Sequence, residues 1–247
     1  MKFIPKRPVI LALLAVAGLA ATASAFAYAL PGPASCAAVG LAGFDTLADG
    51  SLVQTGSSAE RRQQAMALRK QAQDRIARVY RAPRAQAVVL FLDDPAAFWP
   101  RPRNATGSTD FLPGRSCVVI GPQGRNVDVL AHELMHAELA DRVGFLTRLR
   151  AIPVWFDEGV AMQVDYRAQF AESFDGGDSR FVRELDTGAE FFAFEGGRHT
   201  RHYAAAKREV ADWLGSDGPR SLYPRLQRLR DGAALDAQAP QAAGRTE

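Results

Sequence analysis

Apolar residues recur along this chain with two different periods, and each period predicts a kind of element. Residues 59–81 are mostly polar, with Met66, Leu68, Ile76, Val79 and Tyr80 supplying one apolar side, which predicts a long helix. Residues 86–92 (QAVVLFL) and 116–120 (SCVVI) are short β-branched and aromatic runs that predict buried strands, the second turning at Gly121-Pro122. The stretch 93–113 between them is broken by prolines and Gly107 and reads as a loop, with Phe98 and Trp99 packing into the core. Val127, Leu130, Leu134 and Ala137 follow a three-to-four spacing, so a helix with an apolar stripe is expected there. Asn126 suits its N-cap, Asp128 complements the dipole in the first turn, and Gly144 suits its stop.

Further along, helices are expected over 157–166, over 179–185 and over 221–229. Residues 200–214 (TRHYAAAKREVADWL) are amphipathic, with Tyr203, Ala206, Val210, Trp213 and Leu214 on the inward side. Phe191, Phe192 and Phe194 read as core residues rather than as a specificity pocket. Together these elements predict an α+β fold, a small sheet packed on helices in one compact domain.

The start of the chain has its own pattern. Lys2, Lys6 and Arg7 precede an apolar run over 9–21, and Ala23-Ser24-Ala25 forms a small-residue cleavage site. That is a secretory signal of bacterial type. Residues 9–30 are also long and apolar enough for an uncleaved anchor that would associate with the inner membrane. In both cases the rest is expected outside the cytoplasm: periplasmic, secreted, or tethered to the membrane with its domain outside. Residues 31–58, rich in Gly, Ala, Pro and Ser, read as a loose leading segment; 59–232 are the domain and 233–247 a disordered tail.

Charge removes one class of partner. The net +3 is matched by three basic residues in the first 25 positions, so the remainder is formally neutral. No basic run with interleaved aromatics appears, and nucleic acid is excluded as a partner. Arg61-Arg62 and the arginines of 225–230 read as solvated helix faces. Cys36 and Cys117 either form a disulfide, as an oxidising compartment allows, or stay as two buried thiols; neither has zinc-ligand spacing.

The chemistry concentrates in residues 129–137, VLAHELMHA. His132 and His136 stand four apart and so share one helix face, with Glu133 beside them. Two imidazoles at that spacing suit Zn²⁺, and a neighbouring carboxylate can take a proton from water. Only four histidines exist in the chain, which makes the pairing specific. A catalytic zinc needs a third protein ligand. The extended H-E-x-x-H-x-x-G-x-x-H form does not supply it, because Leu139 and Arg142 occupy the positions it needs. The next candidates lie in PVWFDEGVA over 153–161, which carries the adjacent carboxylates Asp157 and Glu158.

HELMH followed by W-x-x-E-G-x-A resembles the gluzincin zinc metallopeptidases, the clan that includes M1-type enzymes. The likeness is strong over 117–165 and weak beyond, to 214. It implies Glu158 as the third ligand, borne on a second helix. It also implies Tyr203, with His202 or His199 as substitutes, as donor to a developing oxyanion, although a core tyrosine fits the same pattern. It implies residues 117–120 as a sheet edge for an extended substrate, although a purely structural strand fits the same residues. Asp165 would either orient a histidine or be a surface charge. The chain departs from the M1 pattern in having 21 residues between His136 and Glu158 and no G-x-M-E-N motif, so aminopeptidase activity is not implied. The expectation is an exported zinc metallopeptidase acting on peptide or protein substrates, with Glu133 as general base. The alternative is a non-hydrolytic zinc-binding module that recognises peptide or envelope components.

Overall fold

The computed structural model describes residues 31–39, 43–96, 98, 103–171, 177–185, 187–193 and 198–236, with isolated positions Ala15, Val16, Gly18 and Thr22. The secretory signal or anchor of residues 1–30 otherwise lies outside the described residues, as do Trp99, Phe194 and most of the tail. No described helix is long and apolar enough to cross a membrane.

A mixed α/β architecture results, a small sheet packed on helices as the sequence predicts. Helix α1 (Pro31–Ala38) leads into a hairpin of β1 (Phe44–Thr46) and β2 (Leu52–Gln54), then α2 (Ala59–Val79) and β3 (Val88–Phe91). Strands β4 (Gly107–Leu112) and β5 (Arg115–Ile120) follow, and then α3 (Val127–Val143), α4 (Phe145–Ala151) and α5 (Val154–Met162). After α6 (Ala168–Ala171), a 3₁₀ turn (Ser179–Glu184) and α7 (Gly188–Phe191), the chain closes with α8 (Arg198–Leu214) and α9 (Leu222–Arg230).

The sheet order is β1-β2-β3-β5-β4. Strand β3 runs parallel to β5, with Val88 opposite Cys117 and Phe91 opposite Ile120. Strand β4 runs antiparallel to β5, from Gly107 opposite Ile120 to Leu112 opposite Arg115. Two expectations are corrected here. Residues 117–120 are not an edge, because β5 lies between β3 and β4. The outer strand is β4, within the stretch that reads as a loop. Its sequence GSTDFL has no apolar run, since all six residues are only half-buried and one side has no strand to pack on. The hairpin within 31–58 also joins the sheet, with Val53 buried, so that segment is not uniformly loose.

One sheet face sends Val89, Phe91, Val118 and Ile120 into the main core with Ala65, Ala72 and Ile76 of α2 and the buried side of α3. Cys117 is bonded to Cys36, which pins α1 to the sheet; the disulfide is the form adopted of the two the sequence allows. Helix α3 is the centre of the molecule. Every residue from Val129 to Ala140 is buried, wider burial than a single stripe implies, because neighbours pack it on several sides. Its ends are as the sequence predicts. The Asn126 side chain accepts from the Val129 N–H at 3.0 Å, and Gly144 takes φ +84°, a conformation that favours glycine.

Helix α5 begins at Val154, earlier than expected, directly after Pro153, and packs tightly on α8. A Cβ at Gly159 would stand 2.3 Å from the Ala206 carbonyl oxygen and 2.6 Å from Val210 Cγ2. Gly159 therefore sets how closely α5, and Glu158 with it, approaches the core. Tyr80, which caps the C-terminus of α2, anchors the same helix by donating its hydroxyl to the Val160 carbonyl at 2.8 Å.

Gly159→Ala should destabilise the protein by about 1–3 kcal/mol, the usual scale for overpacking a tight interface. Urea unfolding measures it. An unchanged midpoint would mean that α5 and α8 are not in the close contact described.

Candidate metal centre

Helices α3 and α5 bring together the residues that the motif nominates. His132 Nε2 and His136 Nε2 lie 3.1 Å apart, and Glu158 Oε2 lies 3.2 Å from the first and 3.6 Å from the second. All three side chains are buried. Ligand atoms about 2.0–2.1 Å from a tetrahedral ion stand about 3.3 Å from one another, so the observed triangle matches such a site. His132, His136 and Glu158 could therefore hold a metal ion.

The protons support the same reading. His136 Nδ1 lies 2.7 Å from Asp157 Oδ1. An ionised carboxylate only accepts, so Nδ1 carries the hydrogen and Nε2 presents a lone pair. Asp157 is ionised: burial would raise its pKa, but the charges of His136 and Arg148 hold it down at about 2. His132 Nδ1 faces Asp165 Oδ2 at 3.4 Å, long for a hydrogen bond but aligned the same way, and Nδ1 has no better partner. Glu158 Oε2 is likewise buried with no hydrogen-bond partner. With both imidazoles neutral, two nitrogen lone pairs and a carboxylate oxygen thus converge on one point. Such a group attracts a cation. Burial lowers the His132 pKa, but Asp165, Glu158 and Glu133 override it and raise the value to about 10. His136 is also raised, with burial opposed by Asp157 and Glu158.

Asp157 is a partner of His136, not a third ligand facing the cluster, and Arg148 of α4 holds its other oxygen. Asp165 is buried and paired with Arg167 through two 3.0 Å bonds from Nε, so the orienting reading fits it and the surface reading does not. Carboxylates behind metal-binding imidazoles fix ring orientation and tautomer.

Glu133 lies beside the cluster. Thr109 of β4 donates its hydroxyl to Glu133 Oε2 at 2.7 Å, and Gly107 passes close enough that a Cβ there would touch the Glu133 side chain. The outer strand therefore runs directly beside Glu133. Tyr203 packs its ring 6.0 Å from that of His132, among Phe170, Phe191 and Phe192. Burial, with Glu158 and Glu133 nearby, pushes its pKa up, so the hydroxyl stays neutral and able to donate. His202 is turned away: its ring sits between Phe181 and Phe191, and Nδ1 bonds the Phe191 carbonyl at 2.7 Å. It is not a substitute for Tyr203. The His199 side chain lies outside the described residues.

Thr109, Arg148 and Arg167 are contributors that no motif marks. Thr109 would have been found only by recognising β4 as a strand. Arg167 stands two residues from Asp165, a spacing too common to signal anything.

The metal-free site has a definite pH signature. The folded pKa of His132 lies above its ordinary 6.5, so protonation stabilises the fold fully below about pH 6.5, and this is lost as pH rises through about 10. Thermal unfolding in chelator should therefore fall in midpoint across that window, while metal-loaded protein falls less. A midpoint that rises with pH in chelator would contradict the assigned contacts. No protein-family model matches this chain, and no curated protein matches it either.

Proposed function

We propose that this chain is an exported zinc-dependent metallopeptidase. The observation that carries the reading is the convergence of three buried ligand atoms, from His132, His136 and Glu158, with the Glu133 carboxylate held beside them by Thr109. Two imidazoles and one carboxylate are a donor set that suits zinc and leaves room for water, as catalytic zinc sites do. Zinc bound there would supply Lewis acidity and a water of lowered pKa.

The chain's own residues supply the rest. Glu133 keeps Oε2 on Thr109, which leaves Oε1 to take a proton from the attacking water and pass it to the leaving amine. Tyr203, neutral at physiological pH, donates its hydroxyl to the carbonyl oxygen as charge develops on it. Asp157 and Asp165 keep both imidazoles in the tautomer that presents Nε2 inward. Strand β4, at the outside of the sheet and against Glu133, offers backbone groups to an extended peptide. Export is supported by the Cys36–Cys117 disulfide, a bond that persists in oxidising compartments, and by the signal-like residues 1–25.

Glu133→Gln should lower kcat on a cleavable peptide by at least about a thousandfold while zinc content stays unchanged, and Tyr203→Phe should lower kcat by about ten- to a hundredfold. A peptide library read by mass spectrometry finds the substrate and measures both. Full activity in Glu133→Gln would remove the mechanism, and zinc-loaded wild type with no hydrolysis would favour a non-hydrolytic zinc module.

A further inference from the structure

A cavity of about 560 Å³ lies beyond the C-terminal half of α3, where β4 turns into β5. Phe111 and Leu112 at the end of β4, with Phe145 at the start of α4, give it apolar walls. Arg84, Arg115, Arg230 and Asp141 are the charged residues that line it. The Asp141 carboxylate is already taken by Arg84, whose Nε donates to it at 2.7 Å. Arg115 and Arg230 have no acidic partner among the described residues. The cavity is therefore electropositive, with two arginines that lack an acidic partner among its otherwise partly apolar lining. Guanidinium matches a carboxylate in shape as well as charge.

One lining residue of this cavity connects it to the metal centre through a chain of contacts. The Phe111 ring carries the Arg148 guanidinium at 3.6 Å, and Arg148 is the residue that holds Asp157 behind His136. Along β4, Thr109 touches Glu133, and Leu112 follows three residues later at the cavity. At about 3.4 Å per residue, a peptide laid on β4 would reach the cavity about 10 Å from the general base.

We propose that the cavity is a subsite for an acidic side chain of the peptide substrate, placed about three residues from the bond cleaved. The inference rests on the peptidase reading and adds the substrate class to it. Arg115 and Arg230 bind the carboxylate, and Phe111, Leu112 and Phe145 pack on the stem that carries it.

The test uses the full-length protein and fluorogenic peptides that differ only in Glu or Gln at the second, third or fourth position on either side of the cleaved bond. Wild type should favour Glu at one of these positions by about tenfold or more in kcat/KM, the discrimination expected from a charge-assisted contact. Arg115→Gln combined with Arg230→Gln should abolish that preference by slowing the Glu peptide alone. The unchanged Gln peptide then shows that the variant is folded. Equal cleavage of Glu and Gln peptides by wild type, or a preference that survives in the double variant, would overturn the subsite and leave the peptidase reading standing. Binding of the labelled Glu peptide to Glu133→Gln protein, read by fluorescence anisotropy, separates the two readings. Arginine-dependent binding without hydrolysis by wild type would retain an acidic-peptide site and remove the peptidase.

Discussion

Two imidazole lone pairs and a carboxylate oxygen face one another within 3.6 Å in a buried volume. Without a positive charge among them they repel, and the rest of the structure can be understood as holding them there against that repulsion. Helix α3 is fixed at both ends, by the Asn126 cap and the Gly144 stop, and enclosed along its length. Helix α5 is held by the glycine contact with α8 and by the Tyr80 hydroxyl. Neither histidine is free to turn its Nε2 elsewhere, because Asp157 and Asp165 stand behind the rings.

Those two carboxylates are themselves balanced. Arg148 pairs with Asp157 and Arg167 with Asp165, so each histidine sits at the head of an imidazole, carboxylate, guanidinium relay. The arrangement keeps negative charge from accumulating around Glu158 and Glu133 while leaving the centre attractive to a cation. Arg148 extends one relay to the Phe111 ring on the outer strand. The strand that would bind a peptide and the imidazole that would bind a metal are therefore coupled by three successive contacts, Phe111 to Arg148, Arg148 to Asp157 and Asp157 to His136.

Much of this was legible in the sequence, and the parts that were not have physical reasons. Local signals carried α3: spacing gave its axis, Asn126 and Gly144 its ends, and HELMH its chemistry, because capping and four-residue spacing are properties of neighbouring residues. Glu158 came from a motif, and its glycine neighbour is explained by the approach of α8. A half-buried outer strand such as β4 needs no apolar run, so nothing in the local sequence marks it or Thr109. The path from Arg148 to Asp157 to His136 joins residues from three helices, so no window of sequence contains it. Asp165 stood undecided since only its burial distinguishes an orienting carboxylate from a surface charge.

If His132, His136 and Glu158 close a three-ligand metal site, metal content measures it directly. Full-length protein purified without added chelator should contain about one zinc per chain by inductively coupled plasma mass spectrometry, the stoichiometry of a single closed site. Glu158→Ala, shown folded by circular dichroism, should lose most of it. Folded wild type that holds no metal even after zinc is added, or a Glu158→Ala variant that retains it fully, would contradict the account.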